Sequence, residues 1–312
     1  MYKRLFVSSL IFLLLLSLSV SFTASSFMEP SVYAAGSAAA KPLRVAPPVE
    51  ARPSNASRFL VFSKDREAER LKRIISLNVP CADKIPVLLY HHLEYAKDIP
   101  AEDKDNSVIL SVEKFEEHMK FLYDNKFYAA CAEELEMYIK GELVLPERSV
   151  VITFDDGYQS AATRAYPILK KYGFQASIFI VTRLIGEKGD RVFLNWSDIK
   201  KCGDVFTYHS HTHNKHKRRA DGRTEFVAGA YADIVEDLQY SKEMLNTSYL
   251  AYPHGQVGKY SKKELEEAGF RMAFGVKEGY ARRDSDKLEL PRFLITPQVM
   301  PDRFEAICYG KV

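Results

Sequence analysis

Two adjacent carboxylates, Asp155 and Asp156, directly follow a run of apolar residues at 150–154 that predicts a buried strand. Neighbouring residues of an extended strand point to opposite sides, so we expect the two side chains to differ in role. One can ligate a metal ion while the other faces substrate as a base, at the strand end where α/β folds keep their chemistry. The alternative is a helix start, with an aspartate as N-cap and a tight turn at Gly157.

A histidine-rich segment, residues 207–216, holds four of the eight histidines of the chain and follows an apolar, strand-like run. Imidazole is the commonest metal ligand, and two histidines with one carboxylate leave coordination positions open for water and substrate. A solvated polar loop is the alternative, and the nearby pair Asp155 and Asp156 argues against it. The four histidines are His209, His211, His213 and His216.

The composition describes one large domain with a tail. The chain has 312 residues, of which 46% are apolar, enough for a barrel-sized core. A formal net charge of +3 is too weak to indicate nucleic-acid binding. Four widely spaced cysteines show no CxxC pattern, and both disulfides and free core thiols remain open.

Residues 1–34 have the pattern of a secretory signal peptide. Lys3 and Arg4 precede an apolar run at 5–22, and small residues around Ala34 suit cleavage. The alternative is an uncleaved membrane anchor, because the run is near the lower length limit for a span. We therefore expect a secreted or cell-envelope protein, extracellular or periplasmic, that touches a membrane only through an uncleaved signal segment.

The remaining chain divides into two parts. Residues 35–80 predict a linker and N-terminal extension, rich in alanine and proline at its start and with a short helix near its end. Residues 81–312 predict the folded domain, in which strand-like and helix-like segments alternate. Such alternation favours a parallel sheet, closed or nearly closed into a barrel. The predicted helices include 112–124, 131–140, 161–171, 231–245, and one beginning at Trp196 with Ser197 or Asp198 as its cap.

Three segments resemble the motifs of the polysaccharide deacetylases, carbohydrate esterase family 4. They are Thr153–Tyr158 (TFDDGY), His209–His213 (HSHTH, similar to H-[ST]-x-x-H) and Leu250–Gly255 (LAYPHG). The resemblance runs from about Ile85 to Thr296. It implies an α/β fold, a distorted (β/α) barrel with parallel strands, a divalent metal that is commonly Zn²⁺, and removal of acetyl groups from N-acetylated sugars.

The resemblance also implies roles for individual residues. Asp156, His209 and His213 would ligate the metal, and Asp155 would be the catalytic base. Arg292 is similar to the arginine that orients this base in the family, although an ordinary surface arginine is the alternative. On this assignment, His211 occupies the variable position of its motif, although it could replace a neighbouring histidine as ligand. His216 is expected to be exposed to solvent.

Two elements of the family pattern are missing: its fourth motif, and the C-terminal Leu-x-His that supplies a general acid. Instead, Leu88–His92 looks like the second element moved to the front. This permuted order resembles the poly-N-acetylglucosamine deacetylase branch. We therefore predict His91 as the general acid, with His92 as the competitor that should point the other way.

Four further residues are predicted to contact the substrate. The backbone N–H of Tyr158 would help to bind the oxyanion, Tyr252 and Pro253 belong to the third motif, and Tyr252 and Trp196 could stack on sugar rings. The single tryptophan is equally suited to be a core anchor. His118, inside a predicted amphipathic helix, is expected at the surface or half-buried.

The resemblance thus predicts a hydrolase that removes N-acetyl groups from a cell-envelope or extracellular polysaccharide containing N-acetylglucosamine. One alternative is an acetylxylan-type O-acetyl esterase with the same residues. Another is an inactive carbohydrate-binding protein of the same fold. Peptidoglycan, exopolysaccharide and chitin fragments all remain possible polymers, with a weak preference for an exopolysaccharide.

Overall fold

The computed structural model describes residues 80–312. The predicted signal peptide, linker and short helix before the domain lie outside the described residues. The strands are β1 (Ile85–Tyr90), β2 (His92–Glu94), β3 (Ile109–Ser111), β4 (Tyr128–Ala130), β5 (Ser149–Phe154), β6 (Ala176–Ile180), β7 (Phe206–Ser210), β8 (Tyr249–Ala251), β9 (Met272–Phe274), β10 (Tyr280–Ala281) and β11 (Phe293–Leu294).

The α-helices alternate with these strands. They are α1 (Val112–Asp124), α2 (Ala132–Lys140), α3 (Tyr166–Tyr172), α4 (Trp196–Lys201), α5 (Glu225–Ala228), α6 (Tyr231–Leu245), α7 (Ser261–Glu267) and α8 (Pro301–Cys308). A π-helical turn, Ala161–Ala165, leads into α3, and 3₁₀ turns lie at Ala96–Asp98, Ala101–Asp103, Thr182–Leu184 and Pro253–Gly255.

Most strands join one sheet in the order β10-β1-β5-β6-β7-β8-β9, with β4 also paired to β5 and β11 to β1. All these pairs are parallel except β1 with β10. One short segment bridges the gap between β9 and β1. Its Leu290 pairs with Phe274 at the end of β9, and three residues later β11 begins and pairs with β1. The sheet is therefore curled into an incomplete barrel.

The side chains of each strand alternate between the two faces of the curled sheet. In β5, Val150, Ile152 and Phe154 join a core cluster that includes Phe115 of α1. The intervening Val151 joins a second cluster with residues of β8 and β9. Every residue of β5 is buried, as expected of a parallel strand covered on both sides. The apolar run is thus a central strand, and its two polar successors emerge at one edge of the sheet.

The sequence predicted most of these elements. The helices at 112–124 and 231–245 have the predicted bounds. The N-cap of α4 is Asn195, whose side chain accepts bonds from the amides of Ser197 and Asp198, so the predicted cap is wrong by two or three residues. In residues 80–312, no helix combines the length and apolar character required to cross a bilayer.

Candidate active site

The candidate site lies where parallel strands end. Asp155 directly follows β5, His91 follows β1, His211 follows β7 and Tyr252 follows β8. These strands are neighbours in the sheet and run in one direction, so their C-terminal ends meet at one edge. Arg292 reaches the same edge from the residue before β11. The fold therefore gathers side chains that are far apart in sequence.

Asp155 and Arg292 form a buried, two-pronged ion pair. The Nη1 and Nη2 atoms of Arg292 donate to the two carboxylate oxygens of Asp155 at 2.8 and 2.7 Å. Nε donates to the carbonyl of Gly275 at 2.8 Å, and the exposed fractions of Arg292 and Asp155 are 0% and 3%. Burial opposes the charge of Asp155, but Arg292 and His211 outweigh it and lower the pKa of the carboxyl group. The expected pairing of Arg292 with Asp155 is thus present, and the surface alternative is wrong.

Asp156, His211 and His216 converge on one point. The two Nε2 atoms lie 3.1 Å apart, and they lie 3.5 and 3.3 Å from Oδ1 of Asp156. Among residues 80–312, this is the group of three whose ligand atoms are close enough to share an ion. The exposed fraction rises from 2% at His211 through 13% at Asp156 to 22% at His216. The group is therefore closed on one side and open at His216.

The surroundings prepare His211 and His216 for this arrangement. Nδ1 of His211 lies 2.7 Å from the carbonyl of Ala251 and must donate to it, so Nε2 is the ring nitrogen that faces Asp156. The loop between the two histidines is fixed by Asp237 of α6, whose carboxylate accepts bonds from the amides of His213 and Asn214, both at 2.8 Å. Hydrogen bonds of this kind fix the tautomer and orientation of metal ligands.

The predicted ligand His209 is not part of this group. It lies one layer deeper between the strands, where Nε2 and Nδ1 contact the hydroxyls of Thr207 and Thr247 at 2.9 and 2.8 Å. Burial lowers the pKa of His209 to about 3. Both ring nitrogens already have protein partners, so the geometry gives His209 a structural role in the core.

The predicted ligand His213 also points elsewhere. Its Nδ1 lies 2.9 Å from the hydroxyl of Thr182, and its ring packs against Tyr240 at 4.4 Å between centroids. Thr212 has a positive φ of 71°, so the chain turns after His211 and the alternation of a strand no longer holds. The structure therefore brings together His211 and His216, which are five residues apart, in place of the predicted pair His209 and His213, which are four apart.

The two carboxylates do have different partners, as expected, but they do not face opposite sides. Asp156 has a positive φ of 71°, which turns its side chain back toward the edge that Asp155 already occupies. Nε2 of His211 lies 3.5 Å from Asp156 and 4.0 Å from Asp155. β5 ends at Phe154. Asp156 is therefore not part of the extended strand, and the alternation of side chains along a strand does not predict its direction.

His91 and His92 diverge as expected for the end of β1. The charges of Asp156 and Asp155 act on His91, although burial outweighs them and lowers its pKa. Its Nδ1 is buried and has no hydrogen-bond partner in residues 80–312. His92 instead bonds through Nδ1 to Ser160 at 3.0 Å. These environments favour His91 over His92 as the histidine that acts with the carboxylate pair.

The predicted substrate residues have different environments. Tyr158 stacks on Phe193 at 5.2 Å and lies beside the site. Tyr252 is fully buried, and its hydroxyl donates to the carbonyl of Leu288 at 2.7 Å, so the prediction that its ring stacks on sugar is wrong. Pro253 is also buried. Trp196 is 43% exposed at the start of α4, which excludes the core-anchor alternative, and its stacking on sugar stays a prediction.

Sequence reasoning missed several residues. His216 was expected in solvent, and the spacing of His211 to His216 was the signal that could have identified it. His254, with φ of 52°, places its ring 4.5 Å from that of His216. His118 is buried and stacks on Phe304 at 3.9 Å, contrary to the expected surface or half-buried position. No sequence signal singled out Asp237, an acidic residue within a helix.

The three converging atoms fit a divalent cation. The circle through them has a radius of about 1.9 Å by the distances above, and Zn–N and Zn–O bonds are about 2.0–2.2 Å long. Two imidazoles and one carboxylate suit Zn²⁺ and related ions. Asp155 is already engaged by Arg292 and remains beside the group as an ionised carboxylate.

Comparisons with known proteins identify the family of the chain. The family model described as polysaccharide deacetylase matches residues 143–273. The poly-beta-1,6-N-acetyl-D-glucosamine N-deacetylase of Staphylococcus aureus (strain MRSA252) is 30% identical over 208 residues, which cover 62% of this chain and 70% of that protein.

Solved structures show the same fold. IcaB from Ammonifex degensii matches with a TM-score of 0.63 and 23% identity, over 74% of this chain and 99% of that one. The Streptococcus pyogenes deacetylase PplD, solved in complex with acetate, matches with a TM-score of 0.63 and 24% identity, over 72% and 98%. These likenesses confirm the predicted barrel-like α/β fold with parallel strands. The chain belongs to the polysaccharide deacetylase family.

Proposed function

We propose that this protein is a metal-dependent hydrolase that removes N-acetyl groups from an N-acetylglucosamine-containing polysaccharide of the cell envelope or extracellular space. The observation that carries the proposal is the convergence of Asp156, His211 and His216 beside the Asp155–Arg292 pair. The Staphylococcus aureus relative, named for its action on poly-beta-1,6-N-acetyl-D-glucosamine, supports the substrate class.

Asp156, His211 and His216 would hold the cation, which we propose to be Zn²⁺. When bound, such an ion supplies Lewis acidity for the attacking water and for the acetyl carbonyl. The open side at His216 leaves an approach for the sugar. Because His211 is fixed by the carbonyl of Ala251 and the following loop by Asp237, the three ligand atoms are held in place before the ion arrives.

Asp155 would act as the base that takes a proton from the attacking water. Its lowered pKa keeps it ionised throughout the neutral range, and the two bonds from Arg292 fix the direction of its oxygens. Such positioning matters because a base must lie within hydrogen-bond reach of the proton that it accepts. Arg292 contributes by orienting Asp155 and needs no contact with substrate.

His91 would pass a proton to the departing amine, since an amide anion is too poor a leaving group to depart alone. Because burial lowers the pKa of His91, we propose that it takes up this proton within the site, from the water proton that Asp155 accepts, and does not carry it at rest. The charges of Asp155, Asp156 and Arg292 all act on its ring, which supports a place for His91 at the reacting centre. The backbone N–H of Tyr158 would donate to the oxyanion that forms at the acetyl carbon.

Acetate release by the full chain tests this function. The substrates are N-acetylglucosamine oligomers, peptidoglycan and an O-acetylated xylan, each tested after chelation and after Zn²⁺ is restored. Asp155→Asn is the inactive comparison, because it keeps the shape of the side chain and removes the base. We expect release from an N-acetylated substrate that requires the metal and is lost in the variant.

Other outcomes would redirect the assignment. Release from the xylan alone would indicate an O-acetyl esterase. Stoichiometric metal binding with no release from any substrate would indicate a carbohydrate-binding protein that has lost catalysis. Release that survives both chelation and Asp155→Asn would contradict the proposed site.

A further inference from the structure

A basic hairpin, residues 215–225, follows directly from the candidate metal group. Five of its residues are basic and two are acidic, a formal charge of +3, which equals that of the whole 312-residue chain. The rest of the protein is therefore neutral overall, and its excess positive charge is concentrated in this hairpin. The basic residues are Lys215, Lys217, Arg218, Arg219 and Arg223.

The hairpin is an ordered element. Arg218 pairs with Thr224 across it, and the amide of Arg219 bonds to the carbonyl of Arg223 at 2.8 Å. Gln256 ties it to the chain that follows β8: its amide nitrogen donates to the carbonyl of Gly222 at 3.0 Å, and its oxygen accepts the amide of Thr224 at 2.8 Å. The basic side chains are thus carried on a fixed support.

Most of this charge is not neutralised within the protein. Arg223 forms two bonds with the carboxylate of Asp221, at 2.9 and 2.7 Å. Lys217, Arg218 and Arg219 are exposed, and no acidic side chain in the part of the chain that the structure describes forms an ion pair with them. An exposed charge run is often only a solvated surface, so its position decides what it can do.

The position is at the rim of the candidate site. Lys217 is the residue next to His216, whose ring contacts that of His254 at 4.5 Å. Gln256, two residues after His254, bonds to Gly222 and Thr224, so the hairpin lies beside the chain that carries that ring. A polymer whose acetyl group enters at the open side of His216 would therefore approach along the hairpin that carries Lys217, Arg218 and Arg219.

We propose that this hairpin binds carboxylate groups carried by the glycan, so that the protein prefers an anionic N-acetylated polymer to a neutral one. The inference rests on the proposed deacetylase function and specifies its substrate. Arginine donates strong hydrogen bonds to carboxylates, as Arg223 does to one oxygen of Asp221 in the same hairpin. The same charge would disfavour a chain that already carries protonated amines, the product of N-deacetylation.

Matched substrates test the proposal. One is a β-1,4 N-acetylglucosamine oligomer, and the other is the same oligomer with its C6 hydroxyls oxidised to carboxylates. Acetate release by the full chain is measured for both at 20 and 200 mM salt, together with the binding constant of each oligomer. The test variant is Arg218→Gln/Arg219→Gln. The control is Arg282→Gln/Arg283→Gln, which removes the same charge beyond the β10–β1 pair at Ala281 and Ile85, at the opposite end of β1 from the site.

We expect kcat/KM for the carboxylated oligomer to exceed that for the neutral one by about fivefold at low salt, the effect of roughly two exposed ion pairs. The preference should shrink at 200 mM salt, disappear in the hairpin variant and persist in the control. Equal kcat/KM for the two oligomers, or equal losses in both variants, would overturn the proposal while leaving the deacetylase function intact. No acetate from either oligomer or from peptidoglycan would refute the deacetylase function, and the binding constants of the two oligomers would then decide whether the hairpin selects carboxylates.

Discussion

Replacing Arg292 by methionine should destabilise the fold and abolish activity, because both depend on its ion pair with Asp155. Arg292 is fully buried, and it neutralises the buried carboxylate of Asp155 through two hydrogen bonds. Removing one partner of a buried pair leaves an uncompensated charge, which costs about 3–5 kcal/mol. Most domains are stable by about 5–15 kcal/mol, so we expect Arg292→Met to fold with a much reduced free energy of unfolding.

The pH dependence of that loss follows from Asp155. Without Arg292, burial raises the pKa of Asp155 above its unfolded value of about 3.9. A raised carboxyl pKa means that the folded state takes up a proton before the unfolded state does. The deficit of Arg292→Met relative to wild type should therefore be largest at pH 7 and shrink as the pH falls toward 4.

The double variant Arg292→Met/Asp155→Asn is the matched control. It removes both charges, so most of the lost stability should return, to within about 2 kcal/mol of wild type, while acetate release stays absent. Urea unfolding followed by far-UV circular dichroism measures the stability of all variants. A loss below about 1 kcal/mol in Arg292→Met, or no recovery in the double variant, would refute the reasoning.

Three further predictions concern single residues. His91→Ala should lower kcat by about 10² to 10⁴-fold and keep the bound metal, as measured by acetate release and by metal content. Unchanged acetate release would remove His91 from the mechanism. Burial lowers the pKa of His118 to about 3, so on acidification the unfolded chain takes up the proton before the folded chain does. The free energy of unfolding should therefore fall by about 2 kcal/mol between pH 7.5 and 5 from this group alone. In urea unfolding, His118→Phe should make the difference in stability between these two pH values smaller by that amount. Gly255→Ala should destabilise the loop after β8, because Gly255 has φ of 67° and an added Cβ would lie 2.2 Å from the side chain of Val276; an unchanged unfolding midpoint would contradict this.

The fold was largely predictable because its signals are local. Buried apolar runs such as 150–154 predict strands, and the spacing of apolar residues in Val112–Asp124 predicts a helix. Gly173 directly follows α3 and ends it in the left-handed conformation that favours glycine, with φ of 70°. The small strands β2, β3 and β10 were not predicted, since two or three residues carry no periodicity.

The site was predictable in part, and the errors have physical causes. The positions of Asp155 and Arg292 followed from the motifs. The histidine ligands did not, because the segment 209–216 offers overlapping pairs and only the backbone turn at Thr212 decides which pair converges. That turn depends on Asp237 of a distant helix, which no local pattern reveals. Tyr252 was misplaced because an aromatic residue in a motif can be buried packing as readily as a sugar platform.

The most direct test of the account is metal binding by the full chain in three forms: wild type, His216→Ala and His213→Ala. Isothermal titration of Zn²⁺ into the metal-free proteins gives the stoichiometry and affinity. We expect wild type and His213→Ala to bind one ion with similar affinity, and His216→Ala to lose more than about 100-fold, beyond the effect of an outer-shell change. Retained binding in His216→Ala with loss in His213→Ala would contradict the assigned centre.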